Sequence, residues 1–196
     1  LGFDLYAQGT SPWIFSISNK NSEEVSFSAE SNLQGVALDI PEPFKKTAEI
    51  SSAFSITCIL PCLNSGWDIA FDDKLSSNFS LDTTTNKLKL NKLKFGKTNN
   101  TESQEPNFGG HLDVVDVDKW IEIITNNKSD SQSNEFPIND MTVVVGTVKF
   151  MSRELKDVEI KMIYEEESLI FKINGKEIKG KIIVAKDLDR KGIIVQ

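Results

Sequence analysis

The chain is poor in the residues that most chemistry needs. Its 196 residues include one histidine, His111, two cysteines and two tyrosines. A Ser–His–acid site would have to use that single imidazole, and no serine lies in a Gly-x-Ser-x-Gly turn. Cys58, Cys62 and His111 are too few for a thiolate–imidazole metal centre. The glycines form neither a phosphate loop nor a dinucleotide fingerprint. The acidic stretch from Asp113 to Asp118 lacks the ligand spacing and central glycine of a calcium loop. No apolar run approaches the roughly 18 residues of a membrane-spanning helix, and no basic, then apolar leader opens the chain. Positive charge is also scarce. A net charge of -7 and a pI near 4.9 exclude a broad nucleic-acid surface and simple electrostatic docking on an anionic membrane. The remaining acid clusters, Asp72 with Asp73 and Glu165 to Glu167, fall at turns and wet positions and read as solvated charge. The expectation is a protein without catalytic residues, metal or cofactor, and with no nucleic-acid partner.

What the chain does have is alternation. Hydrophobic residues make up 39% of it, and phenylalanine is abundant at 12 residues, so apolar side chains are concentrated in patterned segments. Trp13, Phe15 and Ile17 share one parity. Val25, Phe27 and Ala29 do the same, as do Phe54, Ile56, Cys58 and Leu60, and then Trp67, Ile69 and Phe71. Leu88 and Leu90 alternate with lysines, and Leu93 and Phe95 follow at an odd offset, which predicts a bulge or turn near Asn91. Val158, Ile160 and Met162, then Leu169, Phe171 and Ile173, then Ile178 to Val184, continue the pattern. Period two with one apolar parity predicts a mainly β fold: a curved, mostly antiparallel sheet, open and groove-like, with one wet face.

The connections complete this outline. Asn174-Gly175 predicts a two-residue hairpin turn, Asn64-Ser-Gly66 another turn, and Gly9 to Pro12 a link between the first two strands. Two short helices are expected, near 42–48, where Pro41 and Pro43 suit a helix start, and at 116–124, with Asp116 or Asp118 as cap and Val117, Trp120, Ile121 and Ile124 at helical spacing. Trp120 is assigned to helix packing. Polar stretches at 97–107 and 126–134 read as mobile loops. The second is taken as a linker between a β segment with short helices, 1–125, and further antiparallel hairpins, 135–196. The chain opens at Leu1 and ends at Gly192 to Gln196 inside strand-like patterns, so it reads as a piece of a longer protein. Cys58 and Cys62 read as small buried apolar residues, a disulfide being the alternative that needs a tight turn at Pro61.

Two readings of the apolar parity stand beside each other. It is either the closed core of a β-sandwich that serves scaffolding or binding, or the open face of a curved sheet available to apolar ligands. Contiguous exposed apolar patches beyond a few hundred Å² mark function, and two short helices could cover only part of a sheet of this size.

Four stretches, in order, resemble the C-terminal region of the YhdP/AsmA-like family of large Gram-negative envelope proteins. They are Phe3 to Gly9 followed by Ser11-Pro-Trp-Ile-Phe-Ser-Ile17; Ser31-Asn-Leu-Gln-Gly-Val-Ala-Leu-Asp-Ile-Pro-Glu-Pro-Phe-Lys-Lys46; His111-Leu-Asp-Val-Val-Asp-Val-Asp-Lys-Trp120; and Leu155-Lys-Asp-Val158. The family's Pro-x-Pro stretch is the most specific of them. The chain departs from the pattern in its Asn/Ser-rich loops and its two cysteines. The resemblance implies a non-catalytic periplasmic module of a protein anchored in the inner membrane, whose apolar β-groove shields phospholipid acyl chains on their way between membranes, with other envelope proteins as partners. On that resemblance the lipid-binding residues are Trp13, Phe15, Ile17, Val25, Phe27, Phe54, Ile56, Trp67, Ile69 and Phe71. Pro41 and Pro43 would shape the exit from a strand.

Overall fold

The computed structural model describes residues 6–21, 24–96, 107–126, 140–165, 168–185 and 193–195. The chain divides into two compact units. One comprises Leu1–Ile40 with Phe44–Asn107, the other Pro41–Pro43 with Phe108–Gln196. The division therefore falls at 107/108, and the helix expected at 116–124 belongs with the strands that follow it. Apart from Asn126, the expected linker 126–134 lies outside the described residues, as does nearly all of the loop at 97–107. The fold is mainly β and mostly antiparallel, and the sheet does not close into a barrel.

In the first unit, β1 (Ala7–Gly9) pairs with β4 (Val36–Leu38) as a small separate sheet. The main strands are β2 (Ile14–Asn21), β3 (Glu24–Ser31), β5 (Phe54–Ile59), β6 (Trp67–Phe71), β7 (Leu75–Asp82) and β8 (Lys87–Phe95). They lie side by side in that order, each antiparallel to the next. The bulge read near Asn91 is present: the register of β7 on β8 shifts between Asn78 and Phe79, so that Asn78 pairs with Lys92 and Phe79 with Leu90. Asn91 is the extra residue. Its amide donates to Asn78 Oδ1 and Ser80 Oγ, both at 2.9 Å, which supplies partners where the ladder is interrupted.

One helix stands elsewhere than expected. Residues 42–48 form turns, and Lys46 makes an antiparallel bridge with Leu38, exchanging both backbone hydrogen bonds with it. A helix there would cost that bridge. The first helix is instead α1 (Cys62–Ser65), ended by Gly66 at φ 81. A Cβ on Gly66 would stand 2.3 Å from the Phe79 carbonyl oxygen, so only glycine fits. The turn at Leu60–Pro61 and this helix bring the cysteine Cα atoms to 5.3 Å, and Cys58 and Cys62 are disulfide-bonded. The free-cysteine reading assumed a strand continuing through Pro61. The strand stops at Ile59, and that changes the geometry.

In the second unit, β9 (Phe108–Asp116) leads into α2 (Val117–Asn126) and then β10 (Asp140–Phe150), which pairs with β9 in parallel. The strands β11 (Arg153–Glu165), β12 (Ser168–Asn174), β13 (Lys179–Ala185) and β14 (Ile193–Val195) follow in antiparallel order. The core sits on β10 and β11, where Val145 faces Val158 and both are 1% exposed. Burying each is worth about 1.5–3 kcal/mol. Asp116 caps α2 by accepting the Lys119 N–H, and Asp118 accepts the Met151 N–H at 2.8 Å. The β12–β13 hairpin is present, but its tip is Lys176-Glu177: Gly175 N–H donates to Ile178 O, and Asn174 still pairs with Lys179. Asn174-Gly175 is thus the end of a strand and the first turn position, with Gly175 outside the positive-φ region.

Candidate functional site

The register of the first unit decides which side chains share a face, because directly paired residues point the same way. Phe15 pairs with Ala29 and Ile17 with Phe27; Phe27 pairs with Cys58 and Ala29 with Ile56; Phe54 pairs with Phe71 and Ile56 with Ile69. Trp67 pairs with Phe79, Phe71 with Leu75, and Leu75 with Phe95. Nine of the ten predicted residues therefore lie on one face of one sheet, and Trp13, just before β2, joins them through its ring contacts with Phe15 and Phe54. The sequence reading missed its other half, Leu75, Phe79 and Leu81 on β7 and Leu88, Leu90, Leu93 and Phe95 on β8. The bulge at Asn91 is what keeps Leu88 and Leu90 in phase with Leu93 and Phe95. The opposite face is mostly polar, with Ser16, Ser18, Ser26, Ser28 and Thr57 on the first three strands, although Ile14 and Ile59 also lie on it. Ser18 and Ser26 share a hydrogen bond of 2.8 Å there, and Asn78 donates to Asp68 at 2.9 Å.

The face is covered at one end and open at the other side. Phe15 and Ile17 on β2 are 68% and 71% exposed, and Trp13 is 40% exposed. Val25, Phe27, Phe54, Ile56, Trp67 and Ile69 are half-buried, and Phe71 is only 5% exposed. The aromatic rings form a chain across the strands. Phe27 stacks on Phe15 at 6.4 Å, Phe15 on Trp13 at 6.4 Å, Trp13 meets Phe54 edge-on at 5.8 Å, and Phe54 meets Phe71 at 6.5 Å. Phe44 then lies against Phe71 at 6.2 Å. It comes from the excursion between β3 and β5, which folds over this end of the sheet. A closed sandwich would bury Phe15 and Ile17, and here they face outward.

The excursion is held by a group the sequence reading did not single out. Lys46 is 3% exposed. Its Nζ donates to the carbonyl oxygens of Leu33 at 2.8 Å, Thr47 at 3.1 Å and Val36, so the buried ammonium is satisfied by backbone alone. Gly35, at φ 93, passes so close to Thr10 that a Cβ would stand 2.4 Å from its carbonyl oxygen. Ser31 Oγ donates to Pro12 O at 2.8 Å, fixing the approach to β2. Within the second unit, Trp120 Nε1 donates to Glu42 O at 3.0 Å, so α2 holds the Pro41–Pro43 segment. Asp157 adopts φ 51, a conformation aspartate tolerates better than most residues. The stretches that carry the family resemblance thus contain the joints of the fold: Pro12, Gly35, Lys46, Trp120 and Asp157. The signal that could have found Lys46 was its place at the end of the Pro-x-Pro stretch.

The polar candidates are occupied with structure. His111 Nε2 lies 3.6 Å from Asp113 on the exposed side of β9, and Asp116 and Asp118 serve α2 and its neighbour. Among the described residues no group of three or more His, Cys, Asp or Glu side chains could hold a metal ion, and no helix is long and apolar enough to cross a membrane. The Asp82 carboxyl is held below its ordinary pKa, chiefly by the Thr84 N–H, with Thr85 adding to it; it shapes the β7–β8 turn.

No curated protein and no solved structure matches the chain. The family model described as YhdP protein matches residues 2–196. With nearly the whole chain inside that match, the protein belongs to the YhdP family of envelope-associated proteins.

Proposed function

We propose that the apolar face of the first unit shields phospholipid acyl chains, and that the chain is a non-catalytic module of a periplasmic AsmA-like bridge that moves lipid between the inner and outer membranes and so supports the outer-membrane barrier. The observation that carries this is the exposure of Phe15 and Ile17 on a largely apolar face, which also carries Asn19, Ser31 and Ser77. An acyl chain lying on it would leave water at about 0.8 kcal/mol per buried methylene, while headgroups stay at the wet rim. The stacked rings offer a smooth track with no polar anchor, which suits a cargo that slides. Family membership supports an envelope setting. The Cys58–Cys62 disulfide supports an oxidising compartment such as the periplasm. The parent protein would be anchored in the inner membrane and would meet other envelope proteins along its length.

Native mass spectrometry of the purified chain, with lipid identification in its organic extract, tests the proposal. Bound phospholipid is expected, and a Phe15→Asp/Ile17→Asp double variant should lose it while keeping its fold, because both side chains already face outward. A lipid-free wild-type chain would refute the reading. Phe71→Asp is unsuitable, since it would bury a charge beneath Phe44 and test folding instead.

A further inference from the structure

The end of the first unit opposite Phe44 is built differently. Here lie the facing ends of β2 and β3, the α1 loop and the β7–β8 turn, as the pairings Asn19 with Val25, Ser26 with Ile59 and Leu81 with Leu88 show. Connecting loops are ordinarily polar, yet this one reads Ile59-Leu-Pro-Cys-Leu63, and Leu60 and Leu63 are 42% and 54% exposed. Ile59, which pairs with Ser26 on the polar face, is exposed as well.

The loop is fixed in this outward form. Leu60 N–H donates to Val25 O at 2.7 Å and Gly66 N–H to Cys62 O at 3.0 Å, and Ser65 Oγ donates to Ile59 O. The disulfide starts from Cys58, whose side chain shares the apolar parity of Phe27 and Ile56, and so ties α1 to the apolar side of the sheet. The leucines therefore prolong the rim of the apolar face instead of collapsing onto it.

We infer that the α1 tip is a lipid-surface contact: Leu60 and Leu63 insert into the boundary between headgroups and acyl chains of a phospholipid bilayer. This rests on the acyl-chain reading of the adjacent face and adds where that face meets a membrane. Leu60 and Leu63, only about half exposed, offer far less apolar area than a stable protein interface of roughly 800 Å² per partner needs. Shallow insertion of a few aliphatic side chains into a bilayer needs no such area. Charge does not drive the contact. Lys87 and Lys89 at this end are matched by Glu24, Asp68 and Asp82, all exposed.

Flotation of the full chain with phosphatidylethanolamine/phosphatidylglycerol vesicles, in low and in high salt, tests the inference. Wild type should float in both, and Leu60→Asp/Leu63→Asp should lower partitioning at least about tenfold with unchanged melting temperature and unchanged co-purified lipid. The Phe15→Asp/Ile17→Asp variant should still float while losing that lipid, so failure of the tip and failure of the face are read separately. A wild-type chain that does not float, a Leu60/Leu63 variant that floats equally, or binding abolished by salt would each overturn the inference.

Discussion

Replacing Lys46 with methionine keeps the length and apolar stem of the side chain and removes only the ammonium. Three charge-assisted bonds to backbone carbonyls disappear. Each is worth about 1.5–3 kcal/mol, and the sum is offset by several kcal/mol that the ammonium no longer loses on leaving water. Two of the carbonyls keep another partner: Leu33 O still accepts the Val36 N–H and Thr47 O the Ile50 N–H. The net expectation is a loss of about 2–4 kcal/mol, which for a chain of this size lowers the melting temperature by roughly 5–15 °C. Urea titration followed by tryptophan fluorescence measures it, and amide exchange at Leu38 and Lys46 locates it. Exchange at both sites should accelerate before the rest of the sheet opens, because their mutual bridge depends on the same excursion. Lys45→Met is the control: that lysine is half exposed and pairs only with the exposed Asp39 at 3.6 Å, so a change within about 0.5 kcal/mol is expected. If Lys46→Met matched Lys45→Met, the carbonyl cage would not be what holds Phe44 on Phe71, and the account of the covered end would fail.

Three further outcomes are expected. Gly66→Ala, which forces a Cβ against the Phe79 carbonyl at positive φ, should cost more than about 2 kcal/mol in chemical denaturation, whereas Gly175→Ala, with only ordinary contacts around its added Cβ, should cost far less. Reduction of the Cys58–Cys62 bond closes no long loop, so the stability lost in urea with and without reductant should be about 2 kcal/mol at most. The Asp82 carboxyl, lowered by the Thr84 N–H, contributes order that is fully present above its unfolded pKa and is lost as pH falls through the folded one; exchange at Thr84 and Thr85 should quicken in that acid range, and Asp82→Asn should flatten the dependence.

Much of this fold is legible in the sequence, for a definite reason. A strand covered on one side writes its orientation into every second residue, so Phe15/Ile17, Val25/Phe27 and Trp67/Ile69 announce their common face without reference to the rest of the chain. The odd offset at Leu93 announces the bulge by the same logic. Asp116 is recognisable as a cap because its chemistry is local. What escapes is whatever depends on distant partners. Lys46 looks like any surface lysine until Leu33 and Val36 are folded round it. Pro41-Glu-Pro43 looks like a helix start until Leu38 claims Lys46. Cys58 and Cys62 look unbridgeable along an extended strand, because nothing local says that the strand stops at Ile59. Phe71 carries the same parity signal as Phe15, yet one is buried and the other open, and the difference lies in Phe44, contributed from outside both strands.

The extra residue at Asn91 has a consequence for how such a chain can change. Where no single side chain performs a reaction, one aliphatic or aromatic residue can replace another along the face with little harm. A deletion in a regularly paired strand is a different event: removing Ser28 would turn Val25 and Phe27 to the wet side and carry Ser26 onto the rings, whereas removing Asn91 only erases the bulge and leaves Leu88 and Leu90 in phase with Leu93 and Phe95. Heredity in such a sheet resembles a reading frame more than an active site. Substitutions drift freely, and an odd-length insertion or deletion within a strand is tolerated where a bulge such as the one at Asn91 is made or erased with it.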